Sequence, residues 1–289
     1  MTHSKTNPSK DDMKTIKTLI MILAVALIFA ACDKDKDEII DKITDAVFRA
    51  YCLENFDADR DGKISVAEAD AVVNIDIAYT GINSLGGIEY FSNLEVLECN
   101  DNGLTTLNVS KNTALTRLCC YKNKLTTLDV SKNTALVFLH CYNNKLTTLD
   151  VSKNTALLYL NCDGNELTTL DVSKNTALFI LDFPNNKLTT LDVSKNTALT
   201  GLYCFNNKLT TLDISKNKAL NGLHCQNNKL TTLDISKNTS LKELSCEDNF
   251  INTIWVWPGF NTGNPGESIR YCSYDESVSF VVKQEGSEE

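Results

Sequence analysis

A leucine that returns every 21 residues is the feature this chain cannot fold around. Leu104, Leu125, Leu146, Leu167, Leu188, Leu209 and Leu230 keep that spacing and Ile251 extends it. Near-identical units of this length mean stacked coils: one unit cannot bury its apolar face alone, and the core grows by adding neighbours. The unit is L-x-x-L-x-C-x-x-N-x-L-T-T-L-D-V-S-K-N-T-A, as in Leu136 to Ala156. Its second Leu and its Cys are two residues apart, so both point inward from one short strand. Stacked coils then form a parallel sheet with strands about 4.8 Å apart. Asn102, Asn123, Asn144, Asn165, Asn186, Asn207, Asn228 and Asn249 form an unbroken column. A buried amide there can satisfy backbone groups of its own coil and the adjacent one. The second half of the unit has its own column, from Asn112 to Asn238. Two extended arms per coil are therefore expected, in a flat solenoid with little helix. Upstream, Ile75-Asp76-Ile77 with Ile82 reads as a degenerate first strand, with Thr80 in the Asn place.

These residues resemble leucine-rich repeats, in particular the short cysteine-bearing type of internalin J of Listeria and of many Bacteroidota surface proteins. The resemblance covers residues 75–256 and implies a mainly β repeat solenoid that binds a partner.

Cys99, Cys120, Cys141, Cys162, Cys204, Cys225 and Cys246 share the inward position, and Phe183 fills the same slot between Cys162 and Cys204. Side chains one rung apart keep Cβ atoms near the strand spacing, whereas a disulfide wants about 3.8 Å. Phe183 shows that an apolar group suffices. The column reads as reduced thiols acting as small hydrophobes. Cys119, between Leu118 and Cys120, is expected to point outward and be exposed. Cys52 and Cys272 are unassigned.

The second arm hardly varies: Asp129, Asp150, Asp171, Asp192, Asp213 and Asp234 run beside a lysine column from Lys132 to Lys237, as a solvated face would. The first arm varies at its outward positions. There Tyr121, Phe138, His140, Tyr142, Tyr159, Phe179, Tyr203 and Phe205 gather. Clustered exposed aromatics mark recognition surfaces for proteins or sugar rings. The plainer alternative is drift at unconstrained strand positions that favour aromatics. Charged residues flank the cluster, Glu95 and Glu98 on one side, Lys242, Glu243, Glu247 and Asp248 on the other.

Ahead of the repeats, Asp57-Ala58-Asp59-Arg60-Asp61-Gly62-Lys63-Ile64-Ser65-Val66-Ala67-Glu68 fits a 12-residue EF-hand loop. Asp57, Asp59 and Asp61 hold positions 1, 3 and 5, and Gly62 gives the turn at 6. Lys63 contributes its carbonyl at 7, Ser65 a water at 9 and Glu68 two oxygens at 12. Hard Ca²⁺ prefers such an all-oxygen set. Helix-compatible segments flank the loop, Ile43 to Phe56 and Ala67 to Val73, so residues 43–74 read as a helical calcium-binding cap closing the first coil. One isolated loop outside the cell suits a structural clamp.

The first 31 residues read as a signal peptide, with Lys14 and Lys17 ahead of an apolar run from Leu19 to Ala31. Met13 offers an alternative start. Phe29-Ala30-Ala31-Cys32 resembles a bacterial lipobox, with Phe29 where Leu is commoner, and implies acylation of Cys32. An ordinary secretory signal is the alternative. Several acyl chains would anchor stably. The acidic stretch after Cys32, within a linker spanning 32–42, resembles the tether of surface-exported lipoproteins. The expected location is the outer membrane, lipid-anchored and facing outward, with a monomeric chain. Residues 257–289 are expected to cap the open end, with a strand over 277–282 and a disordered tail from Lys283.

The net charge of −9 argues against nucleic acid, which needs clustered Lys and Arg. His140 and His224 lie four coils apart, and no nucleophile elbow or phosphate loop is present. Binding, not catalysis, is expected. The alternative is a structural spacer or assembly partner in an envelope complex.

Overall fold

The computed structural model describes residues 39–261 and 271–283. The signal segment 1–31, Cys32 and the charged run to residue 38 lie outside the described residues, as does the tail from 284. Among the described residues no helix is long and apolar enough to cross a membrane.

The repeats wind into a parallel solenoid. Ten strands, from Asn74–Asp76 through Val96–Glu98, Arg117–Cys119, Phe138–His140 and so on to Glu243–Ser245 and Tyr271–Ser273, form one sheet in chain order of coils. The register is constant, Leu97 beside Leu118, Leu118 beside Leu139, Leu139 beside Leu160. Each coil therefore places its Leu, Cys and Val on those of the coils above and below. Leu139, Cys141, Leu146 and Val151 of one coil are all fully buried. A continuous apolar column results, with only near neighbours touching.

The asparagine columns hold the turns. Asn144 Nδ2 donates to the carbonyls of Cys120 and Cys141, at 3.0 Å each, and its Oδ1 accepts from Leu125 N at 3.0 Å. One amide thus closes its own coil and clips it to the previous one, and the pattern repeats along the column. Asn102 does the same at the start, accepting from Gly81 N at 2.8 Å in the degenerate first coil, where Thr80 Oγ1 turns to Ile77 O. Just before each column amide the backbone turns left-handed, at Lys122, Asn143, Gly164, Asn185, Asn206 and Asn227. In the second column Asn154 Nδ2 donates to Val130 O and Asn133 O.

The second arm differs from the expectation of two extended arms. It forms strands only at the C-terminal end, Thr232–Asp234, Thr253–Val256 and Ser279–Val282 in a three-stranded sheet, with an isolated bridge between Asn108 and Asp129. In the intervening coils its donors are taken by turns. Ser152 N goes to Asp150 Oδ1, Asn154 N to Val151 O and Leu157 N to Asn154 O. An Asx turn followed by a tight backbone turn leaves few groups for a ladder.

Two helices cover the first coil: α1 (Ala46–Phe56), capped by Asp45, and the short α2 (Val66–Asp70), opened by a Ser65–Glu68 capping box. Phe48 and Cys52 are buried under α1, and Phe48 and Phe56 both meet the Phe91 ring, with centroids 6.2 and 5.7 Å away. Asp45 Oδ2 accepts from Asn83 N at 3.0 Å, tying cap to coil. The cap begins earlier than the 32–42 linker suggests: Ile39 and Ile40 are buried, and Ile39 N donates to Ile64 O. Apolar side chains outweigh the charged flank.

At the other end the solenoid runs past residue 256. Tyr271–Ser273 adds a tenth strand, with Cys272 beside Leu244, and Ser279–Val282 pairs with Thr253–Val256 inside the expected 277–282 segment. Lys283 belongs to the fold and not to a loose tail: its N donates to Val256 O and its Nζ meets Asp234 Oδ2 at 2.8 Å.

Asn144→Ala should cost several kcal/mol, since each buried backbone group left unpaired costs about 1–3 kcal/mol. Asn143→Gly, at the neighbouring left-handed residue, should leave stability within about 1 kcal/mol of the parent. Denaturant unfolding of the two variants measures this, and equal effects would show that the amide column does not hold the coils.

Candidate functional site

The outward face of the ten-stranded sheet carries three columns of side chains, because alternate strand residues share a face. The first contains Arg117, Phe138, Tyr159, Ile180, Gly201, Gly222 and Glu243. The second contains Glu98, Cys119, His140, Asn161, Asp182, Tyr203 and His224. The third lies just past the strands and contains Tyr121, Tyr142, Asp163, Pro184 and Phe205, tied coil to coil by backbone bonds such as Lys122 N to Tyr142 O.

In-register stacking brings the aromatic set together as pairs. Tyr121 and Tyr142 stack with centroids 4.2 Å apart and planes 7° from parallel. Phe138 and Tyr159 stack at 4.7 Å and 11°. Phe179 sits one residue before the first column and meets Tyr159 at 6.1 Å, tilted by 58°. The Arg117 guanidinium lies 5.7 Å from the Phe138 ring centre, a cation–π contact that ends this row. Half-buried His140 occupies the column between the two stacks, and burial together with Arg117 holds its imidazole below the usual range. Tyr203 packs edge-on against His224 at 5.1 Å, and Phe205 stands three coils beyond Tyr142. These eight residues thus lie on one face, as two tight stacks near its N-terminal half and a looser group further along.

Cys119 corrects the expectation of an exposed thiol. It lies on the outward face, yet is only 1% exposed. Arg117 and Glu98 flank it and pair with each other, Nε to Oε1 at 3.0 Å. Burial pushes the thiol up despite the nearby guanidinium. The inward cysteines are free and buried, and burial raises Cys141 and Cys204 to about 12. Such thiols are inert near neutrality. Cys52 lies in the cap and Cys272 in the last strand of the main sheet, both unpaired.

Asp182 is the most perturbed carboxylate on the sheet face. Burial, and then Asp163 nearby, raise it to about 6. Asn161 Nδ2 donates to its Oδ2 at 2.7 Å. Sequence reasoning missed this residue, because an Asp at a variable strand position carries no sign of the neighbours that bury it.

In the cap, the carboxylates of Asp57, Asp59 and Asp61 converge with ligand oxygens within 4.8 Å of one another. Among the described residues no other group of three or more His, Cys or acidic side chains is close enough to hold a metal. Gly62 takes a φ of +83°, where a Cβ would be strained, and donates to Asp57 Oδ2 at 2.9 Å. Burial and the charges of Asp61, Glu68 and Asp57 push the Asp59 carboxyl up. Glu68 lies outside the trio: its Oε1 accepts from Ala58 N at 2.7 Å and its Oε2 from Ser65 N and Oγ at 2.9 Å each. Lys63 N donates to Asp61 Oδ1, which orients the peptide that follows. The three carboxylates are the chemistry an oxygen-preferring divalent cation would need, and the Lys63 carbonyl and a reoriented Glu68 would have to complete its shell.

The Leucine Rich repeat family model matches residues 142–157, 205–222 and 226–242. The chain has a leucine-rich-repeat fold. The functional domain of InlJ from Listeria monocytogenes, whose structure is described as including a cysteine ladder, is similar at 34% identity and a TM-score of 0.72. That match covers 83% of this chain but 62% of the InlJ chain, so this chain spans less than two thirds of its relative. A leucine-rich-repeat protein of Leptospira interrogans matches at 22% identity and a TM-score of 0.58, covering 81% of this chain and 70% of that one. Internalin C2 of Listeria monocytogenes matches at 18% and 0.60, covering 84% and 100%. The last two show the fold alone. A search of curated proteins found no significant match.

Because folding lifts the Asp182 carboxyl above its ordinary 3.8 to about 6, its contribution to stability is greatest below pH 4 and is lost as pH rises through 6. Asp182→Asn keeps the acceptor for Asn161 and cannot ionise. The variant should melt higher than the parent at pH 7.5 and level with it at pH 4; thermal melts across this range decide the point.

Proposed function

We propose that this leucine-rich-repeat chain is a recognition protein of the bacterial surface, not an enzyme, and that it holds a protein or glycan on the outward face of its sheet. The observation that carries the reading is the gathering of Tyr121, Phe138, His140, Tyr142, Tyr159, Phe179, Tyr203 and Phe205 on that one face. Binding energy concentrates on large, pre-stacked aromatic side chains that lose little freedom on association. Phe179 is 43% exposed and Leu158 beside it 37%, which leaves apolar area uncovered along the edge of the face next to the first column. Charged residues at both ends, Glu98 and Arg117 on one side and Glu243 on the other, make a rim. A lipid on Cys32 would anchor the monomeric chain in the outer membrane with this face outward.

Calcium in the Asp57–Glu68 loop would act as a brace. By joining the end of α1 to the start of α2 it would hold the cap over the first coil, and extracellular modules bind calcium at about 10⁻⁴–10⁻³ M. No step of recognition requires the ion itself.

Replacing Phe138, Tyr159 and Phe179 together by Ala should abolish capture of surface proteins or glycans by the purified soluble region, with the helical and strand signals of its circular dichroism intact. Capture that persists, together with co-purification of an envelope partner, would point to the spacer role. Calcium at millimolar levels should raise the melting temperature of the parent, and Asp57→Ala with Asp61→Ala should remove that rise; terbium luminescence at the loop gives an independent reading.

A further inference from the structure

The two arms of the solenoid carry charge differently. The three outward columns of the main sheet include the carboxylates of Asp76, Glu98, Asp163, Asp182, Glu243 and Glu247, and among the described residues their one Lys or Arg is Arg117. That guanidinium is already engaged by Glu98 and the Phe138 ring. On the second arm an Asp column runs beside a Lys column coil for coil, from Asp129 and Lys132 to Asp234 and Lys237. One arm is thus balanced within the chain, and the sheet face is left acidic.

Two of these carboxylates meet in the middle of the face. Asp182 lies between Asn161 and Tyr203 in the second column, and Asp163 follows Tyr142 in the third. Both are half-buried, and each is held from the protein side by one oxygen. Asn161 Nδ2 donates to Asp182 Oδ2 at 2.7 Å, and Asn185 Nδ2 to Asp163 Oδ1 at 2.8 Å. Asn206 Nδ2 in turn donates to Asn185 Oδ1 at 2.7 Å, so a file of amides fixes Asp163. The remaining oxygens, Asp182 Oδ1 and Asp163 Oδ2, take no hydrogen bond among the described residues and stay open to solvent. No ion pair among the described residues reaches either group. Burial and the like charge of Asp163 raise Asp182, with no cation to offset them. Aromatic residues flank the pair, Tyr142 one coil before Asp163 and Tyr203 one coil after Asp182.

A guanidinium answers both features. Its planar fork of donors can bond two carboxylate oxygens at once, and its faces stack on aromatic rings. We infer that the sheet face takes a basic protein segment, with an arginine of that partner seated on Asp163 and Asp182. The inference rests on the proposed recognition role of the face and narrows its ligand from a protein or glycan to an arginine-bearing protein. The stacked aromatics supply apolar contact, and the carboxylates supply the charge complementarity that orients the partner. A neutral glycan would bring no charge to offset the pair, and an acidic one would be repelled.

The test is fluorescence anisotropy of the soluble region with short labelled peptides that share their aromatic and glycine residues and differ only in carrying Arg, Gln or Glu at the remaining positions. The Arg peptide should bind most tightly and weaken as salt screens the contact, and the Glu peptide should not bind. Asp163→Asn with Asp182→Asn keeps both acceptors for the amides that hold them. It should leave the melting temperature no lower and reduce affinity for the Arg peptide by about tenfold or more, equivalent to about 1.4 kcal/mol. Asp150→Asn with Asp171→Asn removes the same charge from the second arm, where Asn108 already fills the equivalent place in the first unit, and should leave that affinity unchanged. An Arg peptide bound no better than the Gln peptide, or equal losses in the two double variants, would overturn the inference. Capture of surface proteins or glycans lost in the Phe138, Tyr159 and Phe179 variant but kept in the Asp163 and Asp182 variant would leave the wider recognition role standing while the basic partner fell.

Discussion

Everything in this molecule depends on amides that serve two coils at once. A solenoid of short strands joined by tight turns buries backbone that no ladder can satisfy. One Asn per turn, donating to carbonyls of its own and the preceding coil and accepting from a third group, removes that cost. Leucines alone would collapse into an unregistered stack, since apolar contact has no direction. The amide column supplies the direction, and with it the constant register that lines up outward residues.

That register turns sequence into surface. A residue's neighbours on the sheet face are the residues 21 positions before and after it. Tyr121 stacks on Tyr142 and Phe138 on Tyr159 for this reason alone. The same rule places Gly201 beside Gly222, both buried, with the Tyr203 side chain leaning over them. Scaffold and surface are separable here because the inward positions are held by packing while the outward ones answer only to their neighbours.

The inward half of the fold was legible in the repeat because its physics is periodic: Leu, Cys and Asn columns each follow from one unit. What escaped depended on contacts between units. Cys119 reads as exposed from its place in the strand, but the Arg117–Glu98 pair beside it leaves it shielded. Asp182 carries no signal in the unit, and its environment comes from Asp163 and Asn161 of the preceding coil. The strand Tyr271–Ser273 keeps the register without the motif, with Cys272 where Leu belongs, so no spacing announced it. The second arm resembles the first in sequence, but its Asp and Ser close turns before a ladder can form. The acidic loop, by contrast, was readable as a local pattern, and the structure brings its first three carboxylates together while leaving Glu68 in its helix cap.

The left-handed turn and the shared amide make every interior coil interchangeable with the next. A gain or loss of one 21-residue unit between Leu125 and Leu230 would re-form the same hydrogen bonds across the junction. The sheet face would lengthen or shorten by one rung, about 4.8 Å, with the cap and the last strands untouched. Duplication of whole units could therefore move the Tyr121–Tyr142 stack relative to the Tyr203–His224 pair in fixed steps. A lineage carrying this gene could change the span of the sheet face by copying DNA in place.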